Sequence, residues 1–303
     1  MTMTTTGIHR TAPPACIALA VALLAGCGKE VPAVQETAKP RLDTTAPIVE
    51  TVMAGGDADA RLLTFLHQRY GARARLDGAW KDRWEDTEVV AMRPVERAVC
   101  ARHNVTVDDQ AHTLLAVCQT IEDAATVEPG RVDLFVLRDG ERGVAGDSQP
   151  WPLLVVDQRL QVNAGSDGVP GTVQVATLGP QRPAFHLTQR WNGRGGSLVD
   201  RSYVALHSNR LREVARYRDH LDNLTRYDCD SDPDDCDGTV FNIDFNTTVE
   251  QQAPVDGYWP ITVRGRGQDC AGAAHEFHQL MFDPATRAYQ VPEALQRNDC
   301  GGS

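Results

Sequence analysis

Six carboxylates crowd into ten residues: Asp228, Asp230, Asp232, Asp234, Asp235 and Asp237. Alternating Asp-x-Asp is how hard, oxygen-liganded cations are gathered, and Ca²⁺ takes about six to eight oxygens at short range. Cys229 and Cys236 flank the run, and a bridge between them would press the carboxylates together, a repulsion that a cation relieves. The EF-hand pattern fails in both registers, however. Counted from Asp228, the required Gly at the sixth position is Pro233 and the required Glu at the twelfth is Thr239. Two readings therefore stand, a candidate Ca²⁺ site and a solvated acidic loop closed by a small disulfide.

Other chemistry-bearing patterns fall short of a site. His275-Glu276-Phe277-His278 is one residue short of the H-E-x-x-H zinc motif. On a strand, residues three apart point to opposite faces, so His275 and His278 read as structural. Gly165-Ser166-Asp167-Gly168 and Gly195-Gly196-Ser197-Leu198 do not form a nucleophile elbow. No Lys precedes Ser197 to make a P-loop, and Gly193–Ser197 reads as a flexible turn after Trp191. Arg210, Arg212, Arg216 and Arg218 alternate as a basic row, which is a solvated face, a partner for the chain's own acids, or a site for an anionic ligand. The five Trp, at 80, 84, 151, 191 and 259, offer either core aromatics or a sugar platform. No catalytic residue is nominated, and the question of an enzyme leans to no.

The N-terminus carries the most specific signal. An apolar run from Cys16 to Ala25 ends at Gly26-Cys27. Ten apolar residues reach only about 15 Å as a helix, half a bilayer core, which suits a secretory signal and not a span. Leu24-Ala25-Gly26-Cys27 resembles the lipobox of bacterial lipoproteins. The resemblance implies cleavage before Cys27, diacylation of its sulfur and acylation of the new N-terminus. More than one acyl chain gives stable membrane anchoring. Gly28 in place of Asp implies sorting to the outer membrane under the rule that family follows in enteric bacteria. The expected address is the bacterial cell envelope, facing the periplasm.

Charge and cysteine usage fit that address. The 303 residues carry 30 basic and 41 acidic side chains. Residues 1–26 hold one Arg and no acid, so the mature 277 residues have 29 against 41, net −12. So acidic a chain is a poor nucleic-acid binder, and it is repelled by an anionic membrane surface, which leaves the lipid to hold it. Beyond Cys16 and the acylated Cys27, six cysteines remain: Cys100, Cys118, Cys229, Cys236, Cys270 and Cys300. An even number in an exported chain predicts disulfides, of which 100–118, 229–236 and 270–300 are the nearest-neighbour set among 15 pairings. None lies in C-x-x-C, so neither a zinc knuckle nor a redox pair is supported.

The elements that would position these residues are mainly β. Residues 27–56 read as lipid anchor and tether, with Pro32, Pro40 and Pro47 and no sustained period. One amphipathic helix follows, capped by Asp57, carrying Leu62, Leu63, Phe65, Leu66 and Tyr70, and stopped by Gly71. Trp80 and Trp84, four apart, suggest a second short helical turn. Then come short β-branched runs: 95–103, 113–120, 131–138, 153–157, 173–178, 184–190, 239–245, 258–264 and 275–282. The last is expected to pair with Ala288–Val291 across the turn Asp283–Arg287. Residues 210–225 fit a helix or a strand, with Glu213 on the buried side of a strand and so favouring helix.

The fold class is therefore mainly β, a sandwich or barrel-like set of antiparallel sheets, with an N-terminal helix, α+β overall. Residues 57–303 form one domain, or two with a boundary near 145–152. The function expected is a lipid-anchored envelope lipoprotein with a non-enzymatic binding or structural domain. Its partners would be the membrane, through the lipid, and an envelope protein or cell-wall component. The alternatives are an envelope hydrolase with a site assembled from distant loops, and a Ca²⁺-binding scaffold built on 228–237.

Overall fold

A computed structural model describes residues 48–141, 150–193, 195–228, 231, 236 and 238–299. The chain is mainly β, as its alternation predicts. The first sheet contains β1 (Glu50–Ala54), β2 (Trp80–Asp86), β3 (Ala91–Val107), β4 (Gln110–Ile121), β5 (Gly130–Asp139) and β6 (Trp151–Ala164). Strands β2 to β6 run as a continuous meander, and β1 joins the free edge of β6. The second sheet is a seven-stranded meander in chain order: β7 (Val173–Thr177), β8 (Pro183–Gly193), β9 (Gly196–His207), β10 (Arg210–Asp222), β11 (Asn242–Val249), β12 (Ile261–Asp269) and β13 (Gly272–Leu280). A two-residue ladder, β14 (Phe282–Asp283) with β15 (Ala288–Tyr289), follows. Every ladder in these sheets is antiparallel.

Helix α1 (Ala58–Tyr70) forms where its signals put it. The Asp57 carboxylate accepts from the Ala60 amide at 2.9 Å, and Gly71, at φ 82°, closes the C-terminus by donating to the His67 carbonyl. Its apolar side, Leu62, Phe65 and Leu66, packs on Leu115, Val117, Phe135 and Leu137 of the first sheet. Phe65 meets Phe135 edge to face at 5.1 Å. Burying each such side chain contributes roughly 1.5–3 kcal/mol.

The two-residue period of β4 and β5 sends the alternate set the other way. Leu114, Ala116, Leu134 and Val136 join Phe185, Leu187, Val204 and Leu206 of the second sheet in a shared core. Sheet-on-sheet packing is thus a consequence of strands buried on both faces. A third cluster belongs to the second sheet alone. Tyr203, Tyr217, Ile243, Phe245 and Val263 are closed over by Phe282, Tyr289 and Leu295.

Two expectations are corrected, one open reading is resolved and two strands are added. Trp80 and Trp84 lie on strand β2, with Trp80 buried and Lys81 exposed. A spacing of four is two strand repeats as well as one helical turn, so it carries no preference. Residues 210–222 are strand β10, followed by a 3₁₀ turn at Leu224–Arg226. Bulges at Val214 and Asp219 reset the alternation there, which leaves Glu213 half-buried beside Arg216 and not in the core. Residues 275–280 pair with β12, not with 288–291; only Phe282 and Asp283 make the expected hairpin. Strands β1 and β9 went unpredicted, β9 because Gly196, Ser197, Asp200, Arg201 and Ser202 dilute its apolar residues. The stretch expected to hold a domain boundary falls mostly outside the described residues, and β6 begins at Trp151, already paired with β1.

Candidate functional site

The cysteines in view are oxidised. Cys100 bridges Cys118, and Cys236 and Cys270 are also disulfide-bonded. Cys100 is the extra residue of a bulge between Val99 and Ala101, which lets it reach the strand opposite. Cys27, Cys229 and Cys300 lie outside the described residues, as do Asp230, Asp232, Asp234, Asp235 and Asp237. Asp228 is described, and its carboxylate and carbonyl both accept from the Ser231 amide. Among the described residues no group of three or more His, Cys, Asp or Glu has the geometry to hold a metal ion.

The near-zinc motif is absorbed by structure. His275 is exposed, while His278 Nε2 lies 2.9 Å from Glu276 Oε2. Glu276 Oε1 accepts from Arg297 at 2.6 Å, and Arg297 also reaches Asp269 at 3.1 Å, tying the C-terminal segment to β12 and β13. The arginine row pairs largely with the chain's own acids. Arg210 meets Asp157, Arg216 meets Glu213, and Arg218 meets Asp200.

A cleft of about 560 Å³ opens between the tip of the β8–β9 hairpin, the segment leading from β10 to β11, and residues 298–299. Its aromatic element is Trp191, 41% exposed and paired across the hairpin with Leu198. The glycines around it are required by close approach. A Cβ on Gly193 would meet the Trp191 ring at 2.8 Å, and one on Gly195, at φ 76°, would meet Arg226 Cα at 2.5 Å. Gly193 and Gly195 thus leave no free room for a side chain in the turn expected to be flexible.

The opposite wall is stapled by Asn223. Its side-chain amide donates to the Thr239 carbonyl at 2.9 Å and its oxygen accepts from the Phe241 amide at 2.8 Å. Asp222 accepts from the Leu224 amide at 2.7 Å, and the Arg226 guanidinium sits over the Tyr227 ring. The cleft is thus lined by the rings of Trp191, Tyr227 and Phe241 beside Asp222, Asn298 and Asp299, with Asn298 Oδ1 accepting from Arg218. Aromatic rings beside polar groups are suited to stacking on an apolar face of a ligand while hydrogen-bonding its polar edge.

Sequence reasoning listed Trp191 and its glycines but missed Tyr227 and the residues near 298. The missing signal was spatial, since nothing in the sequence brings 298 to 193.

The displaced histidines lie elsewhere. Burial, aided by Arg201, pushes His186 down to about 4, where its ring stacks on Tyr203 at 5.2 Å. Burial also lowers His112, whose Nδ1 is 2.9 Å from the Gln110 carbonyl. Neither lines the Trp191 cleft.

Comparison with known proteins returns no matching family model, no matching curated protein and no matching solved structure. Among the described residues no helix is long and apolar enough to cross a membrane.

Proposed function

We propose that this chain is a bacterial lipoprotein, held at the envelope membrane through acylated Cys27, whose β body binds an envelope component. The observation that carries the reading is the apolar run ending in Leu24-Ala25-Gly26-Cys27. Two features support it. The disulfide-bonded Cys100, Cys118, Cys236 and Cys270 suit an oxidising compartment. The Trp191 cleft supplies a pocket of ligand size, where an aromatic plate and polar groups converge.

The test is chemical and then positional. Cells expressing the full chain are fed a radiolabelled fatty acid and fractionated. The wild type is expected to carry label and sediment with membranes, and Cys27→Ser to lose both. A Cys27→Ser protein that still sediments with membranes would sink the anchor.

A further inference from the structure

The Trp191 cleft lies at the end of a short ladder. Strand β10 meets β11 only through His220, Leu221 and Asp222, and the cleft opens directly beyond, where Asp222, Asn223 and Phe241 line it. The groups there that are already engaged, and those that are free, select the chemistry of a guest.

Trp191 presents one face. A Cβ on Gly193 would stand 2.8, 3.2 and 3.4 Å from Cζ2, Cη2 and Cε2 of the indole. Distances so even, to one ring carbon and its two bonded neighbours, belong to an atom above the ring and not beside its edge. Gly193 therefore backs one face of the plate. The surface that leaves Trp191 41% exposed is its other face and rim.

The polar groups fall into two sets. Asn223 is engaged with the backbone of Thr239 and Phe241, and Asn298 with Arg218. Asp222 gives one carboxylate oxygen to the Leu224 amide at 2.7 Å, and among the described residues nothing donates to the other. Arg226 is exposed, and among the described residues it pairs with no carboxylate; its guanidinium lies 5.7 Å from the centre of the Tyr227 ring. Arg210, Arg216 and Arg218 all hold acids, so Arg226 departs from the habit of its neighbours. Asp222 and Arg226 line one cleft without closing on each other.

An acceptor and a donor of opposite charge cancel, which favours a guest without net charge. Hydroxyls satisfy both at once, because each can donate and accept. A one-sided aromatic plate adds the requirement of a flat patch of C–H groups. A pyranose ring meets all three conditions, with C–H groups on a face, hydroxyls around its edge and no charge.

We propose that the cleft binds a neutral glycan, one sugar ring stacked on Trp191 with its hydroxyls between Asp222, which accepts, and Arg226, which donates. The volume of about 560 Å³ lies within the range of ~300–1,000 Å³ usual for small-ligand sites. The proposal rests on reading this cleft as the binding site of the β body, and it is independent of the lipid anchor.

Saturation-transfer NMR on the full chain in detergent is the test, with cellotriose, maltotriose and triacetylchitotriose as neutral probes. At least one is expected to bind, receiving saturation through the C–H protons of one ring face. Trp191→Ala is expected to weaken that binding by about tenfold or more, and Arg226→Gln and Asp222→Asn by about tenfold each. Gly193→Ala, which drives a methyl into the plate, is expected to weaken binding while every group that touches the sugar is kept. Melting temperatures of all four variants separate lost binding from lost folding.

No saturation transfer to any of the three at millimolar concentration, or equal binding by Trp191→Ala, overturns the proposal. A preference for trigalacturonate or for free phenylalanine also overturns it, since the guest would then be an anion or a zwitterion; the cleft would remain a binding site. The anchor is read separately. A chain that incorporates fatty acid at Cys27 but binds no trisaccharide loses the sugar and keeps the lipoprotein, and the opposite pair of results does the reverse.

Discussion

The two sheets share a core between them, yet they differ in how deeply they bury their arginines. In the first sheet, arginines are drawn into the interior and compensated on the spot. Arg97, Gln119 and Arg131 lie in one row across β3, β4 and β5. Asp82 accepts from Arg97 at 2.9 Å, and the rings of Tyr70 and Trp84 lie under Arg97 and Arg131. Arg93 alone holds Asp86, Asp123 and Glu128. In the second sheet the strands part between β10 and β11, and two clefts, of about 560 and 700 Å³, lie against it. Buried charge ties the first sheet together, whereas the groove of about 700 Å³ lies where β10 and β11 stop pairing.

That contrast can be broken where it is strongest. Arg93→Ala leaves three carboxylates facing one another, so it is expected to cost about 3–5 kcal/mol in urea unfolding. Against the opposing effect of burial, Arg93 together with the Glu88 and Val89 amides holds Asp86 below the usual carboxylate range. That share of stability is present above the unfolded pKa and is lost as pH falls through the folded one. An Arg93→Ala protein as stable as the wild type would refute the structural role given to the first sheet's ions.

Next in size is the bridge across β3 and β4. Removing it as Cys100→Ala with Cys118→Ala, which opens a loop of sequence separation 18, is expected to lower stability by about 3 kcal/mol. Calorimetry on the double variant checks it, and the Trp191 cleft should be unaffected.

A pH test addresses the second sheet. His186 has its pKa depressed to about 4, so between its ordinary value and that point the unfolded chain takes a proton that the folded one refuses. Stability should therefore fall by about 2 kcal/mol as pH drops from 6 to 4.5. His186→Phe should flatten that part of the Tm profile; an unchanged slope would show the loss arises elsewhere.

The smallest expected effect sharpens the comparison most. Trp191→Ala removes a half-exposed ring at a hairpin tip, and should change stability by no more than about 0.5 kcal/mol. If it unfolds the protein instead, Trp191 is a packing residue and the cleft loses its claim as a binding surface.

Much of the architecture was legible in the chain. Asp57 and Gly71 marked the ends of α1, because capping is chemistry between near neighbours. Strands β4 and β5 announced themselves through unbroken apolar runs, since both of their faces are buried. The reading failed where a local pattern is degenerate or is reset. Trp80 and Trp84 fit either period, and the bulges at Val214 and Asp219 break β10 into stretches that no single alternation describes. Candidate chemistry was legible only as composition. Trp191 was visible, but its companions Tyr227, Asn298 and Asp299 were not.

The amino-acid sequence by itself determined the properties that depend on residues close in the chain. These are the apolar run ending in Leu24-Ala25-Gly26-Cys27, the acidic balance, the even set of cysteines, the helix with its caps, and the prevalence of strands. Tertiary structure alone decided which arginines are compensated, that β10 and β11 part after three pairs, and where the clefts open. Those outcomes depend on register and on contacts between residues far apart in the chain, and a period of two reports which way a side chain points without naming what it will meet.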